Sequence, residues 1–367
     1  MSQAAAPTDV VLAIDGGNIK TDVALVAGDG RLLSLIRGGT SSPHALGFRA
    51  SVALLSELVA AAHAAALSSG RDAPGASGGA TCQRAGGTGA SSEQIADIAR
   101  VLLAGADLPE EVADLQEALG SRNWAPQLVV ENDTLALLRT GTDRGWGVAV
   151  VCGGGINAVG IAPDGRAARF PALGAITGDW GGGHDVGVAG LSAAARSADG
   201  RGPRSTLEHA VPEHFGMRTP FDVARAVHFK EISLEELAQL SPVVYEQAPV
   251  DATAHEILER VADEVAALAR AALTRLDLCD AAADVVIGGG LMRAAPAWML
   301  ERVERLVRAS SASATLVVAH EGPIVGATIL GLDALGAGPE AIGRARAELQ
   351  LAIADLGRGS LAAEPAA

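Results

Sequence analysis

The stretch Val10–Val26, VVLAIDGGNIKTDVALV, predicts how the chain begins to fold. It opens with a short apolar run rich in β-branched residues, Val10–Ile14, and the letters DGGNIK separate this run from a second one, Thr21–Val26. A third run, residues 31–36, follows the letters GDG at 28–30. Apolar runs joined by short Gly/Asp turns are typical of antiparallel strands. The sequence therefore predicts an antiparallel meander of three strands.

A similar arrangement begins near residue 147. The run Gly147–Val151 leads into the letters CGGG, the run Val159–Ala162 follows, and PDG (163–165) forms the next turn. The two parts of the chain thus share the order strand, glycine turn, strand, Asp-Gly turn, which indicates a weak internal repeat of architecture. At about 150 residues per domain, a chain of 367 residues is expected to form two domains.

Helices and further strands are predicted between and after these meanders. Apolar residues at helical spacing predict helices over Phe48–Ser68 and Ala254–Leu276. Residues 69–92 are rich in Gly, Ser, Ala and Thr and predict an exposed or disordered loop. Short apolar runs predict strands over Gln127–Val130, Asp284–Ile287 and Thr315–Val318.

Composition and charge exclude several classes of protein. The formal net charge is −15, which argues against a general nucleic-acid binder because such a protein needs a basic face. The three cysteines, Cys82, Cys152 and Cys279, are far apart, so neither a thiolate zinc site nor a disulfide framework is expected. The apolar run Leu58–Leu67 is interrupted by His63 and is too short to span a membrane. With no signal-peptide pattern at its start, the chain is expected to be soluble and cytoplasmic.

Glycine-rich turns follow three of the predicted strands. Glycine lets backbone N–H groups approach phosphate oxygens closely, so three such turns together favour a nucleotide cleft. None matches the Walker pattern GxxxxGK[ST], and none matches GxGxxG in a βαβ unit with a following ribose acid. The turns are Gly16-Gly17, Gly153-Gly154-Gly155 and Gly288-Gly289-Gly290.

Three aspartates beside glycine turns or strand ends are candidates for chemistry. Asp15 is either a turn residue or a carboxylate that orders Mg²⁺ through water, with Lys20 five residues further on. Asp133 follows a predicted strand at a helix start, so it is either an N-cap or a general base. A helix N-terminus lowers the pKa of a carboxylate, so we expect Asp133 to be ionised at pH 7. Asp179, in GDWGGG, is either a turn residue or a ligand of sugar hydroxyls.

These motifs, in this order, resemble those of a known superfamily. DGGNIKTDVALV is similar to the first phosphate motif of the actin/hexokinase/Hsp70-type ATPases, ENDTLALL with VCGGGINAVGIAPDG to their second phosphate region, and VVIGGGLM to their adenosine motif. Within that superfamily, the chain most resembles the N-acetylglucosamine kinase group of the BadF/BadG/BcrA/BcrD ATPases, from about Val10 to Leu335.

The resemblance implies an α/β fold of two lobes, of the actin-like ATPase (ribonuclease H-like) type. Each lobe would hold a mixed five-stranded sheet with helices, and the nucleotide cleft would lie between the lobes. Residues 1–140 with 331–367 would form the first lobe, and residues 141–330 the second.

The resemblance also implies an activity and a set of site residues. The chain would be an ATP- and Mg²⁺-dependent kinase that phosphorylates an amino sugar, N-acetylglucosamine first, at its primary 6-hydroxyl. No nucleic-acid or membrane partner is expected, and a homodimer is the open expectation for assembly. Asp133 would be the catalytic base, and Asp15 would hold Mg²⁺ through water. The residues implied to bind ATP and its phosphates are Asp15, Gly16, Gly17, Lys20, Thr21, Gly153, Gly154, Gly155, Asn157, Gly288, Gly289 and Gly290. Those implied to bind the substrate are Ser42, Asn132, Asp133, Gly174 and Asp179.

Four positions depart from the pattern of the group. Gly154 and Ile156 stand where Thr and Ser are usual, Trp180 replaces a Glu, and Ser42 replaces an Asn. Glucosamine or another hexose derivative therefore stays open as the acceptor. Two further alternatives are an iron–sulfur ATPase that activates a 2-hydroxyacyl-CoA dehydratase, and a non-catalytic sugar or nucleotide sensor.

Overall fold

The computed structural model describes residues 8–68 and 94–361. The predicted loop at 69–92 and Cys82 lie outside the described residues. The strands are β1 (Val10–Gly16), β2 (Lys20–Ala27), β3 (Leu32–Gly39), β4 (Ile98–Leu103), β5 (Gln127–Asn132), β6 (Gly147–Cys152), β7 (Ile156–Ile161), β8 (Ala167–Arg169), β9 (Asp284–Gly288) and β10 (Thr315–Val318). The α-helices are α1 (Pro43–Leu46), α2 (Phe48–Ser68), α3 (Pro109–Gly120), α4 (Thr134–Gly141), α5 (Gly183–Asp199), α6 (Leu207–His214), α7 (Pro220–His228), α8 (Leu240–Gln247), α9 (Ala252–Arg275), α10 (Gly290–Arg293), α11 (Ala297–Arg308), α12 (Pro323–Ala334) and α13 (Pro339–Leu361).

Each of two compact units contains one five-stranded mixed sheet. The first unit comprises the described residues up to Thr140 and from Glu321 onward, and its strand order is β3-β2-β1-β4-β5. The second unit is Gly141–His320, with the order β10-β9-β6-β7-β8. In each sheet an antiparallel meander of three strands continues into two parallel strands. The prediction of two mixed five-stranded sheets is confirmed.

The second domain boundary differs from the one expected at residue 330. That boundary would cut through α12, whose residues Ile324 and Val325 share a buried cluster with Val11 and Ala13 of β1. Because α12 covers one face of the first sheet, it belongs to the first unit, and the boundary lies at His320. A boundary at residue 330 would assign residues of α12 that pack in one buried cluster to two different units.

Strand β1 is buried on both faces. Leu12 and Ile14 share a buried cluster with Leu55 of α2, whereas Val11 and Ala13, on the opposite face, belong to the cluster that includes α12. Side chains alternate between the two faces of a strand, so a strand covered by helices on both sides is apolar at every position. This explains the continuous apolar run that marks β1 in the sequence.

In the second unit, helix α9 covers the sheet, and one short edge strand was missed by the sequence prediction. Leu258, Val261 and Val265 of α9 are fully buried in the same cluster as Val148 and Val150 of β6. Strand β8 was not predicted, because it has three residues of which only Ala168 is buried. A single buried alanine is not a detectable alternating pattern.

Helix α2 is, among the described residues, the one helix long and apolar enough to cross a membrane by length and composition. Its residues Leu55, Val59 and Ala62 are buried in the cluster that also contains Val23 and Leu25 of β2. Core helices of soluble proteins meet the same length and composition criterion. The packing accounts for the apolar face of α2 without a membrane.

Two glycines inside helices of the first unit give a matched test of this packing. A Cβ on Gly326 of α12 would lie less than 3.0 Å from the backbone carbonyl of Ala136 in α4, whereas nothing lies within 4 Å of a Cβ on Gly343 of α13. We expect Gly326→Ala to lower the free energy of unfolding by about 1–3 kcal/mol, because the two backbones must separate. Gly343→Ala should raise it by up to about 1 kcal/mol, because alanine restricts the unfolded chain. Urea denaturation of both variants measures this, and equal effects would contradict close α4–α12 packing.

Candidate functional site

The carboxyl ends of three parallel strands meet at one edge of the first sheet. Strands β1, β4 and β5 are parallel neighbours, and their register aligns Gly16 with Leu103 and Leu103 with Asn132. Asp15 at the end of β1 and Asp133 just after β5 therefore lie along the same edge, where ligands of open α/β sheets bind. The fold brings these two sequence-predicted carboxylates together.

Asp15 is a buried carboxyl group that has two other carboxylates as neighbours. Burial, followed by the carboxylates of Asp133 and Asp22, raises the pKa of Asp15 to about 8, while Lys20 and Arg37 act in the opposite direction. Without a cation beside it, the Asp15 carboxyl group would hold a proton at neutral pH. A divalent cation bound nearby would displace that proton. A hard oxygen donor of this kind fits Mg²⁺, held directly or through water.

Asp22, paired with Asp15 across β1 and β2, is the acceptor of an ion-pair network. Its buried carboxylate accepts hydrogen bonds from Arg37 Nε at 2.6 Å and Nη2 at 2.9 Å, and from Lys20 Nζ at 2.6 Å. Burial alone would raise the pKa of Asp22, but the hydrogen bonds from Arg37 and Lys20 lower it below its usual value. The ammonium group of Lys20, predicted to bind phosphate, lies on Asp22, and its side chain is 41% exposed.

Gly16, Gly17 and Thr21 of the first glycine turn contact other residues of the first unit. Thr21 is fully buried and its hydroxyl donates to Ser41 Oγ at 2.8 Å. Its contact with phosphate stays a prediction. The Gly17 N–H donates to the carbonyl of Lys20 at 2.9 Å and closes the turn between β1 and β2. A Cβ on Gly16 would lie less than 3.0 Å from Ser41 Oγ. The glycines therefore allow this tight loop to form.

Asp133 stands immediately before α4 and is half-buried. On the preceding residue, Asn132 Oδ1 accepts the Thr134 N–H at 3.0 Å and the Thr134 hydroxyl at 2.6 Å. Burial, followed by the charge of Asp107, raises the pKa of Asp133 to about 7, against the effect of its own N–H and that of Thr134. The expectation that the helix start keeps this pKa low is wrong, because burial outweighs the backbone N–H groups. A carboxyl group with a pKa near 7 suits general base catalysis at neutral pH.

Asp107 was missed by the sequence prediction. It lies in the loop between β4 and α3, and its Oδ1 accepts a hydrogen bond from Asn132 Nδ2 at 2.7 Å. Its own N–H donates to Glu111 Oε2 at 3.1 Å. Gly105 (φ +83°) forms a turn two residues before Asp107, but it was not among the predicted glycine turns, and no family motif covers this position. The available signal is that Asp107 follows a strand parallel to β1 and β5, which places it at the same edge.

Ser42, predicted to bind the sugar, is buried in the loop between β3 and α1. Among the described residues its hydroxyl has no hydrogen-bond partner. The hydroxyl lies next to Gly105, as does the ring of His44, and His44 Nε2 is 2.7 Å from Glu111 Oε1. A buried hydroxyl without a partner is costly, and the sugar contact of Ser42 stays a prediction.

In the second unit the predicted phosphate turn is bonded to the start of α5. Gly153–Gly155 connects β6 and β7, and its carbonyls at Gly153 and Gly154 accept the N–H groups of Gly183 at 2.7 Å and His184 at 3.3 Å. A Cβ on Gly182 would lie less than 3.0 Å from the carbonyl of Gly154. The close approach therefore requires a glycine at position 182, whereas a Cβ on Gly154 or Gly155 would meet nothing within 4 Å.

The predicted adenosine-side turn adjoins the same place. Gly288 pairs with Val151 of the neighbouring parallel strand, and a Cβ on Gly289 (φ +95°) would overlap the backbone of Cys152. Gly290 begins α10. Asn157 of β7 accepts the Ala158 N–H through its Oδ1 at 2.7 Å. The second unit thus brings together the two glycine turns that the sequence predicted for nucleotide binding.

The predicted sugar loop of the second unit is a compact turn. Gly174 (φ +61°) accepts the N–H groups of Thr177 at 3.1 Å and Asp179 at 3.0 Å, and the Thr177 hydroxyl donates to the Asp179 carboxylate. The ring of Trp180 lies under the Arg260 guanidinium, with 3.9 Å between the guanidinium carbon and the ring centroid. The residue that replaces the usual Glu therefore packs against α9.

The two described cysteines are poor candidates for cluster ligands. The Cys152 thiol donates to the carbonyl of Gly181 at 2.9 Å, and burial, with a smaller effect of Asp185, raises its pKa to about 12. Cys279 is half-buried and lies 3.6 Å from the Thr274 hydroxyl. Cysteine binds a metal as the thiolate, and the raised pKa of Cys152 disfavours that form.

Two proteins of known name are similar to this chain in sequence. An N-acetylmuramic acid/N-acetylglucosamine kinase from Clostridium acetobutylicum is 25% identical over 283 residues, which are 77% of this chain and 85% of that protein. An N-acetyl-D-glucosamine kinase from Dictyostelium discoideum is 28% identical over 167 residues, 43% of this chain and 52% of that protein.

Solved structures show the same fold. A protein from Chromobacterium violaceum, provisionally assigned as an N-acetylglucosamine kinase, superposes with a TM-score of 0.63 at 22% identity, over 89% of this chain and 99% of that one. A ROK family glucokinase from Streptomyces griseus, in complex with glucose and AMPPNP, gives a TM-score of 0.51 at 16% identity, over 88% and 99% of the two chains. The predicted fold class is confirmed.

A model of the BadF/BadG/BcrA/BcrD ATPase family matches residues 12–331, which is most of the chain and includes the carboxylate edge of the first sheet and the glycine turns of the second. The chain belongs to the BadF/BadG/BcrA/BcrD ATPase family.

Proposed function

We propose that this protein is an ATP-dependent sugar kinase that phosphorylates an amino sugar, N-acetylglucosamine first, at its primary 6-hydroxyl. The observation that carries the proposal is the half-buried Asp133 at the carboxyl end of β5, with a pKa raised to about 7, in a chain that belongs to an ATPase family. The kinase names of two relatives support the same reaction class and the same acceptor.

The proposed reaction is an in-line phosphoryl transfer. Asp133 accepts the proton of the sugar hydroxyl as that oxygen bonds to the γ-phosphorus of ATP. The bond from the γ-phosphorus to the bridging oxygen breaks, and ADP leaves with the electron pair. A primary hydroxyl is the least hindered group that Asp133 could serve. A base whose pKa lies near the working pH is both deprotonated and strong enough to take the proton.

The glycine turns and Asp15 would serve the nucleotide. Backbone N–H groups in Gly16–Gly17, Gly153–Gly155 and Gly288–Gly290 would approach phosphate oxygens and the nucleoside, with Asn157 beside the second turn. Asp15 would hold Mg²⁺, through water where the distance requires it. When bound, Mg²⁺ neutralises charge on the phosphates during transfer.

Asp179 and Ser42 are the proposed ligands of the sugar. Asp179, next to the turn at Gly174, would accept hydrogen bonds from ring hydroxyls, and the unpartnered hydroxyl of Ser42 would face the substrate. Glucosamine is the alternative acceptor, because Ser42 stands where the related kinases usually carry Asn. The protein is proposed to be a cytoplasmic enzyme that binds small molecules and assembles as a homodimer. Its net charge of −15 argues against a nucleic-acid partner.

The role of Asp133 predicts a large loss of turnover on substitution. Asp133→Asn should lower kcat by about 10²- to 10⁴-fold, because the amide cannot take the proton, while ATP affinity stays nearly unchanged. Asp114→Asn, an exposed aspartate on α3, is the control with the same change of charge. Steady-state kinetics and isothermal titration with ATP-Mg²⁺ measure both effects. Retention of more than about a tenth of the rate would remove Asp133 from this role.

The raised pKa of Asp133 predicts a pH profile. The ionised form is the active one, so kcat/KM should be constant above about pH 7 and fall tenfold per pH unit below it. An aspartate at its usual pKa of about 3.9 would keep the rate constant down to pH 5. Initial rates between pH 5 and 9, corrected for the ionisation of ATP, measure the limb. A flat profile to pH 5 would contradict a base with this pKa.

The sugar-binding role of Asp179 predicts an effect that is confined to the acceptor. Asp179→Ala should raise the sugar KM by about tenfold or more, because charged hydrogen bonds to the hydroxyls are lost, and leave the ATP KM within about twofold. Asp164→Ala is the matched control, since Asp164 also accepts hydrogen bonds within its own exposed turn. Equal increases for sugar and ATP would argue for loop collapse instead.

The acceptor itself is tested by comparing N-acetylglucosamine with glucosamine. We expect N-acetylglucosamine to have the higher kcat/KM. If glucosamine is turned over at least tenfold more efficiently, the acetyl preference is wrong and the kinase assignment stands. No turnover of any hexosamine, with ATP bound, would overturn the sugar-kinase proposal.

A further inference from the structure

We propose that Asp107 is a positioning residue for the reaction: it holds the side-chain amide of Asn132, and Asn132 in turn holds the start of α4, so that the Asp133 carboxylate keeps one orientation toward the acceptor. This proposal rests on the kinase function proposed above. None of the sequence motifs marks Asp107, and its contacts come from the tertiary structure alone.

The first step is the bond between Asp107 and Asn132. Asn132 Nδ2 donates to Asp107 Oδ1 at 2.7 Å, across the two parallel strand ends of β4 and β5. Asn132 is 4% exposed. A charge-assisted hydrogen bond in this environment is stronger than one between neutral groups, and it fixes which side of the amide carries the oxygen.

The second step is the bond from Asn132 to the helix. With its nitrogen directed at Asp107, the amide presents Oδ1 to the N–H of Thr134 at 3.0 Å and to the Thr134 hydroxyl at 2.6 Å. Asp133 lies between these two anchored residues. A flipped amide would point N–H groups at Thr134, and the Thr134 N–H and hydroxyl would lose their acceptor at the start of α4.

Asp107 is itself held by α3. Its N–H donates to Glu111 Oε2 at 3.1 Å, and the other oxygen of Glu111 lies 2.7 Å from Nε2 of His44 in α1, two residues after Ser42. Hydrogen bonds and the short Asp107 loop thus connect the predicted sugar loop to the start of α4. This polar network runs from His44 to Asn132 and does not include the Ser42 hydroxyl.

The first test compares two substitutions at one position. Asp107→Asn keeps an oxygen that accepts the Asn132 N–H, so it should retain at least about a third of wild-type kcat. Asp107→Ala removes the acceptor and should lower kcat by about 10- to 100-fold with sugar KM within about threefold, since a misplaced base costs rate. Glu110→Gln, an exposed acid on the same helix start, is the control for loss of charge.

The link through Asn132 predicts non-additive effects. Asn132→Ala should lower kcat as much as Asp107→Ala, and the double variant should fall no further than either single variant, because both remove the same support. Multiplying losses would show that Asp107 acts independently of Asn132. A rise in sugar KM with unchanged kcat in Asp107→Ala would show direct substrate binding. Either result overturns the proposal.

A second readout does not depend on turnover. Amide hydrogen exchange of residues 133–137 should be faster in Asp107→Ala than in the wild type and unchanged in Asp107→Asn. Unchanged exchange in Asp107→Ala overturns the positioning role even if the kinase proposal holds. Faster exchange in a protein that phosphorylates no hexosamine supports the structural link and sinks the kinase proposal instead. If Asp107→Ala does not fold, Asn132→Ala serves in the same exchange experiment.

Discussion

The parallel pairing of β1 with β4, and of β4 with β5, is the constraint on which the candidate site of the first unit depends. It aligns three strand ends at one edge, so that residues following them meet although β1 ends at Gly16, β4 at Leu103 and β5 at Asn132. The pairing is stable because β1 is buried on both faces, by α2 on one side and α12 on the other. The core that holds the sheet together therefore also assembles the carboxylates.

Concentrating acids at this edge has an electrostatic cost. Burial, followed by the charges of Asp133 and Asp22, raises the pKa of Asp15, and burial, followed by the charge of Asp107, raises that of Asp133. The pKa of Asp22 is lowered instead, because Arg37 and Lys20 donate hydrogen bonds to its carboxylate. One carboxylate is thus neutralised by the fold, while Asp15 and Asp133 retain a high affinity for protons or cations, as a site for metal and base chemistry requires.

The second unit uses backbone packing where the first uses charge. The turn at Gly153–Gly155, the start of α5 and the turn at Gly288–Gly290 contact one another through main-chain atoms, and a Cβ at Gly182 or Gly289 would collide with its neighbour. Such contacts leave little freedom for the loops to move separately. A phosphate ligand would then meet N–H groups that are already oriented, so less entropy would be lost on binding.

The sequence by itself determined the elements whose signals are local. Apolar runs predicted the three strands of the first meander and β6 and β7 of the second, and helical spacing predicted α2 over Phe48–Ser68. Glycine turns with the END letters led to the family and to Asp133. The tertiary structure alone decided the burial of Thr21 against Ser41, the membership of α12 in the first unit and the place of Asp107. It also decided the pKa of Asp133, which the local helix start predicted to be low and which burial raises. The physical reason is range: strand and turn preferences depend on neighbouring residues, whereas burial, ion pairing and proton affinity depend on groups that only the folded chain brings together.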